Sequence, residues 1–240
     1  MNKFAVIIPA AGMSTRFQGF EQKKPFVELK GRAIWLRTVE HFVNRDDVSE
    51  VVLVLSKDDQ AEFRERFAAN LTFLPIKIAD GGASRAESVR NGLAVLSEPC
   101  DFVAVHDAAR PLLTKHWLTD LFATAAERDA VIPAVPVSST VKSVDNEGRI
   151  QKTVDRSSLM LAQTPQVFRR DVLDAAYVAT EDASTFTDEA SLVEASGVPV
   201  YIHQGWPMNI KITTKEDFEI AEAMLAALPT DGGGLMGLGL

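Results

Sequence analysis

The sequence contains a single cysteine, Cys100, among 240 residues. One cysteine can form neither an intrachain disulfide nor a zinc site built on several cysteine ligands, so both of these small-domain designs are excluded. Proteins that do without disulfides are typical of reducing compartments. We therefore expect a cytoplasmic protein.

The sequence also has few basic residues relative to acidic ones. It contains 25 Lys and Arg and 33 Asp and Glu, which gives a net charge of −8. General nucleic-acid binders present a basic face, so we expect no nucleic-acid partner. No apolar run approaches the ~20 residues of a membrane-spanning helix, so we expect no membrane partner either. Small anionic substrates remain compatible with this composition, because a few well-placed cations outweigh a distant acidic surface.

Familiar catalytic patterns are missing as well. The loop after the first apolar run matches neither G-x-G-x-x-G nor G-x-x-x-x-G-K-[ST], so the usual dinucleotide and P-loop fingerprints are absent. This argues against a nicotinamide dehydrogenase. The four histidines are scattered, and no Ser/His/Asp or Cys/His arrangement indicates a side-chain nucleophile.

What is present is an alternation of short apolar runs with longer helical patterns. Runs such as VVLVL (51–55) and FVAVH (102–106) are apolar throughout, as in parallel strands covered by helices on both faces. Capping boxes at Ser84-x-x-Glu87 and Thr213-x-x-Glu216 predict helices that extend to Leu96 and Leu228. The pattern predicts an α/β fold, a doubly wound and mostly parallel sheet. The predicted strands cover residues 4–9, 51–55, 76–79, 102–106, 130–135 and 200–203.

One stretch departs from this rhythm. Between Thr140 and Thr153 the residues alternate around Asp145-Asn146-Glu147-Gly148, which is a good hairpin turn. A two-stranded hairpin has little core of its own, so we predict a protruding β-hairpin arm at about 138–158 that needs a partner. We predict a single domain over residues 1–228, followed by a Gly-rich and disordered tail at 229–240, to which we assign no function.

Two loops at strand ends could bind anions. In PAAGMSTRF (9–17), small residues precede Arg16, so a backbone that admits a close ligand is followed by a cation. In DGGASRAESV (80–89), Gly82 precedes a capped helix, and Arg85 lies in the first helical turn, where the helix dipole disfavours a cation. A bound anion would explain both loops, but ordinary tight turns with solvated cations explain them too.

Three further residues are candidates. Asp107, in VHDAARP (105–111), ends a buried strand, where a carboxylate can either ligate Mg²⁺ or cap the next turn. Arg156 in TVDRSSL (153–159) and Lys211 in NIKIT (209–213) are each the single cation of their motif, although lone cations are usually just solvated. Together with Arg16, Lys24 and Arg85, these cations indicate a site that holds negative charge. Phosphoryl or nucleotidyl transfer needs such a site when the substrate supplies the nucleophile.

The combined motifs carry a resemblance. PAAGMSTRF, KKPF, GGASRAESV, VHDAARP, TVDR, QTPQVF, TDEAS and NIKIT stand in the order seen in 2-C-methyl-D-erythritol 4-phosphate cytidylyltransferases, over about residues 4–225. The resemblance implies a Rossmann-like nucleotidyltransferase fold, CTP and a methylerythritol phosphate as substrates, Mg²⁺, and a homodimer joined through the hairpin arm. The products would be the CDP-linked methylerythritol and pyrophosphate.

The resemblance also implies roles for individual residues. Arg16 and Lys24 would be catalytic, although relatives often read Pro-Lys-Gln where this chain reads Lys23-Lys24-Pro25, which leaves Lys23 open as the alternative. Arg156, Lys211 and Thr140 would position the second substrate, and Asp107 would face the metal and the sugar. The nucleotide would contact Ala10, Ala11, Gly12, Gly82, Arg85 and Ser88.

Two other functions fit the same residues. A ribitol 5-phosphate cytidylyltransferase would share the scaffold and the arm, because its acceptor differs mainly in methyl and hydroxyl placement. A non-catalytic CTP-binding sensor would share the loops, but it would have no need for the catalytic pair Arg16 and Lys24.

Overall fold

A computed structural model describes residues 1–12 and 26–228, which form twelve strands and eight α-helices. The strands are β1 (Phe4–Pro9), β2 (Glu28–Leu29), β3 (Arg32–Ala33), β4 (Val48–Leu55), β5 (Ile76–Asp80), β6 (Phe102–Val105), β7 (Ala130–Pro136), β8 (Val141–Val144), β9 (Ile150–Val154), β10 (Met160–Ala162), β11 (Gln166–Arg169) and β12 (Tyr201–Gln204). The helices are α1 (Ile34–Val43), α2 (Lys57–Arg66), α3 (Ala68–Phe73), α4 (Arg85–Ala94), α5 (Lys115–Arg128), α6 (Arg170–Ala179), α7 (Glu189–Ala195) and α8 (Lys215–Leu225).

Eight strands form the central sheet, in the order β10-β7-β11-β6-β1-β4-β5, with β12 also paired to β7. Strands β6, β1, β4 and β5 are parallel to one another, and β12 is parallel to β7. Strand β11 runs antiparallel to both β6 and β7, and β10 runs antiparallel to β7. The predicted α/β fold with a mostly parallel sheet is therefore confirmed.

Helices cover both faces of this sheet, which explains why its strands read as unbroken apolar runs. Along β1, Val6 and Ile8 belong to one core cluster and Ile7 to the other. The first cluster includes residues of α1 and α5, and the second includes residues of α4, α6 and α7. Because both faces are buried, no polar alternation is needed along the strand.

The predicted strands are all present, with ends that shift by a few residues. Strand β1 matches its prediction, whereas β4 begins three residues earlier than predicted, at Val48. Strands β10 and β11 were not predicted. They are only three and four residues long, and they flank Pro165, so neither length nor alternation marks them.

The two predicted helix starts differ in outcome. Ser84 caps α4 as predicted, since its hydroxyl accepts a hydrogen bond from the Glu87 amide (3.1 Å). The prediction for α8 was wrong by one residue, because the capping box is formed by Thr214 and Asp217. The Asp217 carboxylate accepts bonds from the amides of both Thr213 and Thr214, which fixes it at the third helical position. These helices end at Ala94 and Leu225, before the predicted ends at 96 and 228.

Strands β8 and β9 pair antiparallel as a two-stranded sheet of their own, within the stretch predicted as a hairpin. The Asp145 carboxylate closes the turn by accepting bonds from the amides of Glu147 (3.0 Å) and Arg149 (2.9 Å). Gly148 has φ of +80°, a value that favours glycine. Val144 and Ile150 are 54% and 64% exposed, so two apolar side chains at the end of the hairpin lack cover within this chain.

Of the helices in the described ranges, none has the length and apolar character that would carry it across a bilayer. The predicted tail, 229–240, lies outside these ranges.

Candidate active site

The candidate site lies at the carboxyl ends of β1, β4, β5 and β6, the edge at which open α/β sheets bind their ligands. The loops that follow β1 and β5 are both tied to the end of β4. The amide of Ala10 donates to the Val54 carbonyl (2.8 Å), and the amide of Gly81 donates to the Leu55 carbonyl (2.6 Å). The two predicted anion-binding loops are therefore held side by side.

The small residues of these loops allow the loops to touch each other. A Cβ at Gly81 would lie 2.3 Å from the Cβ of Ala11, a separation that real carbon atoms do not tolerate. A Cβ at Gly12 would lie more than 4 Å from the other atoms of residues 1–12 and 26–228, its chain neighbours aside. Ala11 and Gly81 are therefore small because the loops after β1 and β5 pack against each other at these two residues.

Gly82 and Ser88, both predicted to contact a nucleotide, contact each other. The Ser88 hydroxyl accepts a bond from the Gly82 amide (3.0 Å) and donates to the Ser84 carbonyl (2.9 Å). Ser88 is buried, and its hydroxyl fixes the entry of the chain into α4.

Asp107 is the centre of a cluster of charges. Its carboxylate lies 2.8 Å from the Nζ atom of Lys211 and 3.5 Å from the Nε atoms of both Arg85 and Arg110. Burial alone would raise the pKa of Asp107, but the charges of Arg85, Lys211 and Arg110 hold it well below its usual range. Asp107 is therefore ionised, and three predicted site residues (Asp107, Arg85 and Lys211) are brought together.

Arg110 was missed by the sequence analysis, although it lies within VHDAARP. Its side chain is mostly buried, and its Nη1 atom donates to the Asn209 carbonyl (2.7 Å). The available signal was its position three residues after Asp107, within reach of that carboxylate. A spacing of three in a loop carries little weight without the fold.

Arg85 also has partners within the protein. Its Nη1 atom donates to both carboxylate oxygens of Glu189, each at 2.8 Å. The unfavourable position of this cation in the first turn of α4 is therefore explained by Glu189 and Asp107, without a bound anion. Burial raises the pKa of Glu189, and the charge of Arg85 opposes that rise. Glu189 was missed because an acidic residue in the first turn of a helix is ordinarily solvent-exposed.

A chain of hydrogen bonds fixes the backbone at Asp107. The Asp107 amide donates to the Thr164 hydroxyl (3.1 Å), which leaves that hydroxyl free to donate to Nδ1 of His106 (3.0 Å). The other ring nitrogen of His106 then donates to the Arg110 carbonyl (3.0 Å). Burial lowers the pKa of His106 to about 3, so the ring is neutral, as this chain of bonds requires.

Lys211 reaches Asp107 because its segment is docked on the loop after β6. The Ile212 amide donates to the Ala109 carbonyl (2.9 Å), and the Asn209 side-chain amide donates to the Thr164 carbonyl (2.7 Å). The motifs NIKIT, VHDAARP and QTPQVF, which are far apart in sequence, therefore form one structural unit.

Two other predicted residues lie at the hairpin rather than in this cluster. Arg156 and Thr140 are exposed at the base of the hairpin, where the Arg156 guanidinium donates to the Ser138 carbonyl. Arg16, Lys24 and its alternative Lys23 lie outside the described residues.

The protein groups alone do not form a metal cage. Across residues 1–12 and 26–228, no group of three or more His, Cys, Asp or Glu side chains is placed to hold a metal ion. Mg²⁺, however, is often bound by one or two carboxylates together with substrate phosphates. Asp107 fits the protein's share of such a site, whereas Glu189 is already occupied by Arg85.

Chemically, this edge of the sheet can hold and orient anions. Among the residues that the structure describes, three cations and two carboxylates converge here, an excess of one positive charge. The Lys211 side chain is 41% exposed, so its ammonium group can leave Asp107 and bind an incoming anionic group instead.

Comparisons with known proteins identify the family of this chain. The family model for 2-C-methyl-D-erythritol 4-phosphate cytidylyltransferase matches residues 4–227. The enzymes of that name from Rhodopirellula baltica and Symbiobacterium thermophilum are each 41% identical, over 92% of this chain and 94% and 92% of their own lengths. The crystal structure of the Francisella tularensis enzyme superposes with a TM-score of 0.76, at 31% identity, and covers 92% of this chain and 99% of its own. The chain belongs to the 2-C-methyl-D-erythritol 4-phosphate cytidylyltransferase family.

Proposed function

We propose that this protein transfers CMP from CTP to 2-C-methyl-D-erythritol 4-phosphate and releases pyrophosphate. The observation that carries the proposal is the pairing of Asp107 with Lys211 at the carboxyl edge of the sheet, in a chain that belongs to this family. Of the three cations around Asp107, Lys211 has the most exposed side chain (41%, against 29% for Arg85 and 12% for Arg110), as suits a residue that receives an anionic acceptor.

The reaction needs no general base. A phosphomonoester has a second pKa of about 6 and is mostly dianionic near pH 7, so its oxygen can attack the α-phosphorus of CTP directly. Pyrophosphate leaves in line with the attack, and charge spreads over the phosphoryl oxygens in the transition state. The protein contributes position and positive charge, which agrees with a site dominated by arginine and lysine.

The nucleotide is proposed to bind between the two loops that β4 holds together. Ala10, Ala11, Gly12 and Gly82 would approach it through their backbones, and Ser88 would order the Gly82 amide that does so. Gly12 supports this placement because, within the described part of the chain, a Cβ there would have no neighbour within 4 Å. Arg85, already paired with Glu189, would contribute its charge more than a direct bond.

Different cations are proposed to bind the two substrates. Arg16 and Lys24 would stabilise charge on the CTP phosphates, and Lys211 would bind the phosphate of the acceptor. Arg156 and Thr140 would complete the acceptor site from the arm of a second subunit. The exposed Val144 and Ile150 support a homodimer, since apolar groups on a two-stranded sheet need cover from elsewhere.

Mg²⁺ is the proposed cofactor, with Asp107 as its protein ligand and substrate phosphates as the others. When bound, it would offset the repulsion between two polyanionic substrates. Arg85 and Arg110 would keep Asp107 ionised for this purpose. The single cysteine supports our proposal that the protein acts in the cytoplasm.

Pyrophosphate release tests the function directly. With CTP and Mg²⁺ present, we expect turnover with methylerythritol phosphate and much slower turnover with ribitol 5-phosphate. ATP and GTP should be poor donors, because a base held against the backbones of the β1 and β5 loops fits more closely as a pyrimidine than as a larger purine. Preferred use of ribitol phosphate would identify the ribitol enzyme instead, and CTP binding without turnover on either acceptor would favour the sensor.

A second expected result concerns the contact between the loops. Gly81→Ala should weaken CTP binding at least tenfold, because the new methyl group would force the β1 loop away from the β5 loop. Ala11→Gly removes the atom that the methyl group would meet most closely and leaves the milder contact with the Leu55 carbonyl oxygen at 3.1 Å, so the double variant should recover part of the lost affinity. Isothermal titration of CTP against the three proteins measures both effects.

Gly12→Ala serves as the stability control for this experiment, because a Cβ there meets no atom within 4 Å among the residues that the structure describes. It should leave the thermal stability of the free protein unchanged. The packing explanation is wrong if Ala11→Gly fails to rescue a folded Gly81→Ala protein.

A further inference from the structure

Glu189 is a buried acidic residue to which the proposed mechanism gives no part. Its side chain is 1% exposed, and it lies in the first turn of α7 beside the buried apolar residues Ala190, Leu192 and Val193. An ionised carboxylate in such surroundings is costly unless its oxygens are well satisfied. Here both oxygens accept bonds from the Nη1 atom of Arg85.

The segment that carries Glu189 is itself rigidly held. The Gln166 side chain donates to the Asp188 carboxylate (2.7 Å) and accepts from the Ala190 amide (3.0 Å), so it clamps the residues on both sides of Glu189 to strand β11. The Tyr177 hydroxyl lies 3.4 Å from one oxygen of Glu189. These contacts give the carboxylate one fixed location relative to the sheet.

Arg85 connects this fixed carboxylate to the site. One end of its guanidinium, Nη1, bonds Glu189 at 2.8 Å, and Nε lies 3.5 Å from Oδ1 of Asp107. A planar guanidinium whose one end is pinned has little freedom at the other. The position of Glu189 therefore sets where positive charge is presented to Asp107.

We infer that Glu189 is a positioning residue, which acts through Arg85 to hold the Asp107 carboxylate in its reactive orientation. This inference rests on the proposed function, because it assigns Asp107 a part in the transfer reaction. Without Glu189, Arg85 is free to turn its whole guanidinium toward Asp107 or toward a substrate phosphate. Either movement changes the contact between Arg85 and the Asp107 carboxylate that the structure shows.

Glu189→Gln tests the inference, because it keeps the shape of the side chain and removes the charge that pins Arg85. Supporting groups of this kind typically contribute 10–100-fold. We expect kcat to fall by roughly that factor, with the KM for CTP changed by less than about threefold. Glu194→Gln makes the same chemical change at an exposed position of the same helix and should have no effect.

A double-mutant cycle separates positioning from simple support of the fold. In an Asp107→Asn background, Glu189→Gln should cost less than about threefold, because the group it positions is already altered. Equal losses in both backgrounds would overturn the inference, as would a folded Glu189→Gln protein with wild-type kcat. If Glu189→Gln fails to fold, Glu189→Asp, which keeps the charge on a shorter stem, takes its place in the same cycle.

The proposed function can fail separately. It is tested by turnover of the wild-type protein with CTP and methylerythritol phosphate. The inference is tested only by ratios between variants, and these can be measured with whichever acceptor the wild-type protein uses.

Discussion

Lys211→Ala is expected to raise the KM for methylerythritol phosphate by roughly 30-fold or more. Truncating one partner of a charge pair costs about 2–5 kcal/mol, and every 1.4 kcal/mol corresponds to a factor of ten. The Nζ atom of Lys211, 2.8 Å from Asp107 in the free protein, is the exposed cation nearest that carboxylate. Its loss should leave CTP binding near normal, because the nucleotide loops follow β1 and β5.

Steady-state kinetics with each substrate varied in turn, together with titration of CTP alone, measure this division. Lys215→Ala is the matched control, since Lys215 is an exposed lysine four residues further on whose nearest acidic partner is Glu219 on its own helix. Weakened CTP binding with an unchanged acceptor KM would show that Lys211 serves the nucleotide instead.

Mixing two inactive variants is expected to restore activity. If each site takes Arg16 from one subunit and Arg156 from the arm of the other, then Arg16→Ala and Arg156→Ala homodimers each lack one essential group at both sites. In a mixed dimer one site collects both substitutions and the other is whole. Random pairing makes half of the dimers mixed, so roughly a quarter of wild-type activity should return.

The measurement is pyrophosphate release after the two proteins are unfolded and refolded together, with each protein refolded alone as the reference. Native mass spectrometry of subunits that carry different tags confirms that mixed dimers form. If mixed dimers form and activity does not return, Arg156 acts within its own chain and the shared site is wrong.

The sheet was predictable from sequence because its physical cause is local. Strands buried on both faces must be apolar throughout, and β1, β4 and β6 carry that signature in contiguous runs. The start of α4 was predictable for the same reason, since Ser84 and Glu87 are three residues apart. The α8 start was misplaced by one residue because Thr213 and Thr214 are both followed by an acid at the capping distance.

The charge cluster was only half predictable. Asp107 and Lys211 were selected one by one, but their contact depends on how NIKIT docks on the loop after β6, which no local pattern encodes. Glu189 and Arg110 were not predicted as site residues, because in the sequence each resembles an ordinary exposed charge and only the fold buries it. Strand β11 begins at Gln166, and Thr164 lies just before it. This short antiparallel strand could not be predicted because its sequence has no clear periodicity.

Strand β11 has a consequence for how this fold can vary. Because β10 and β11 both run antiparallel to β7, the chain leaves the sheet at the end of β7 and re-enters it through β10 beside that same end, without a crossover. The hairpin of β8 and β9 is therefore an insertion whose two ends lie next to each other. The Val137 amide closes its base by donating to the Leu159 carbonyl. Such an insertion can be lengthened or exchanged without disturbing strand order. A relative's arm grafted between residues 137 and 159 should carry that relative's choice of acceptor with it.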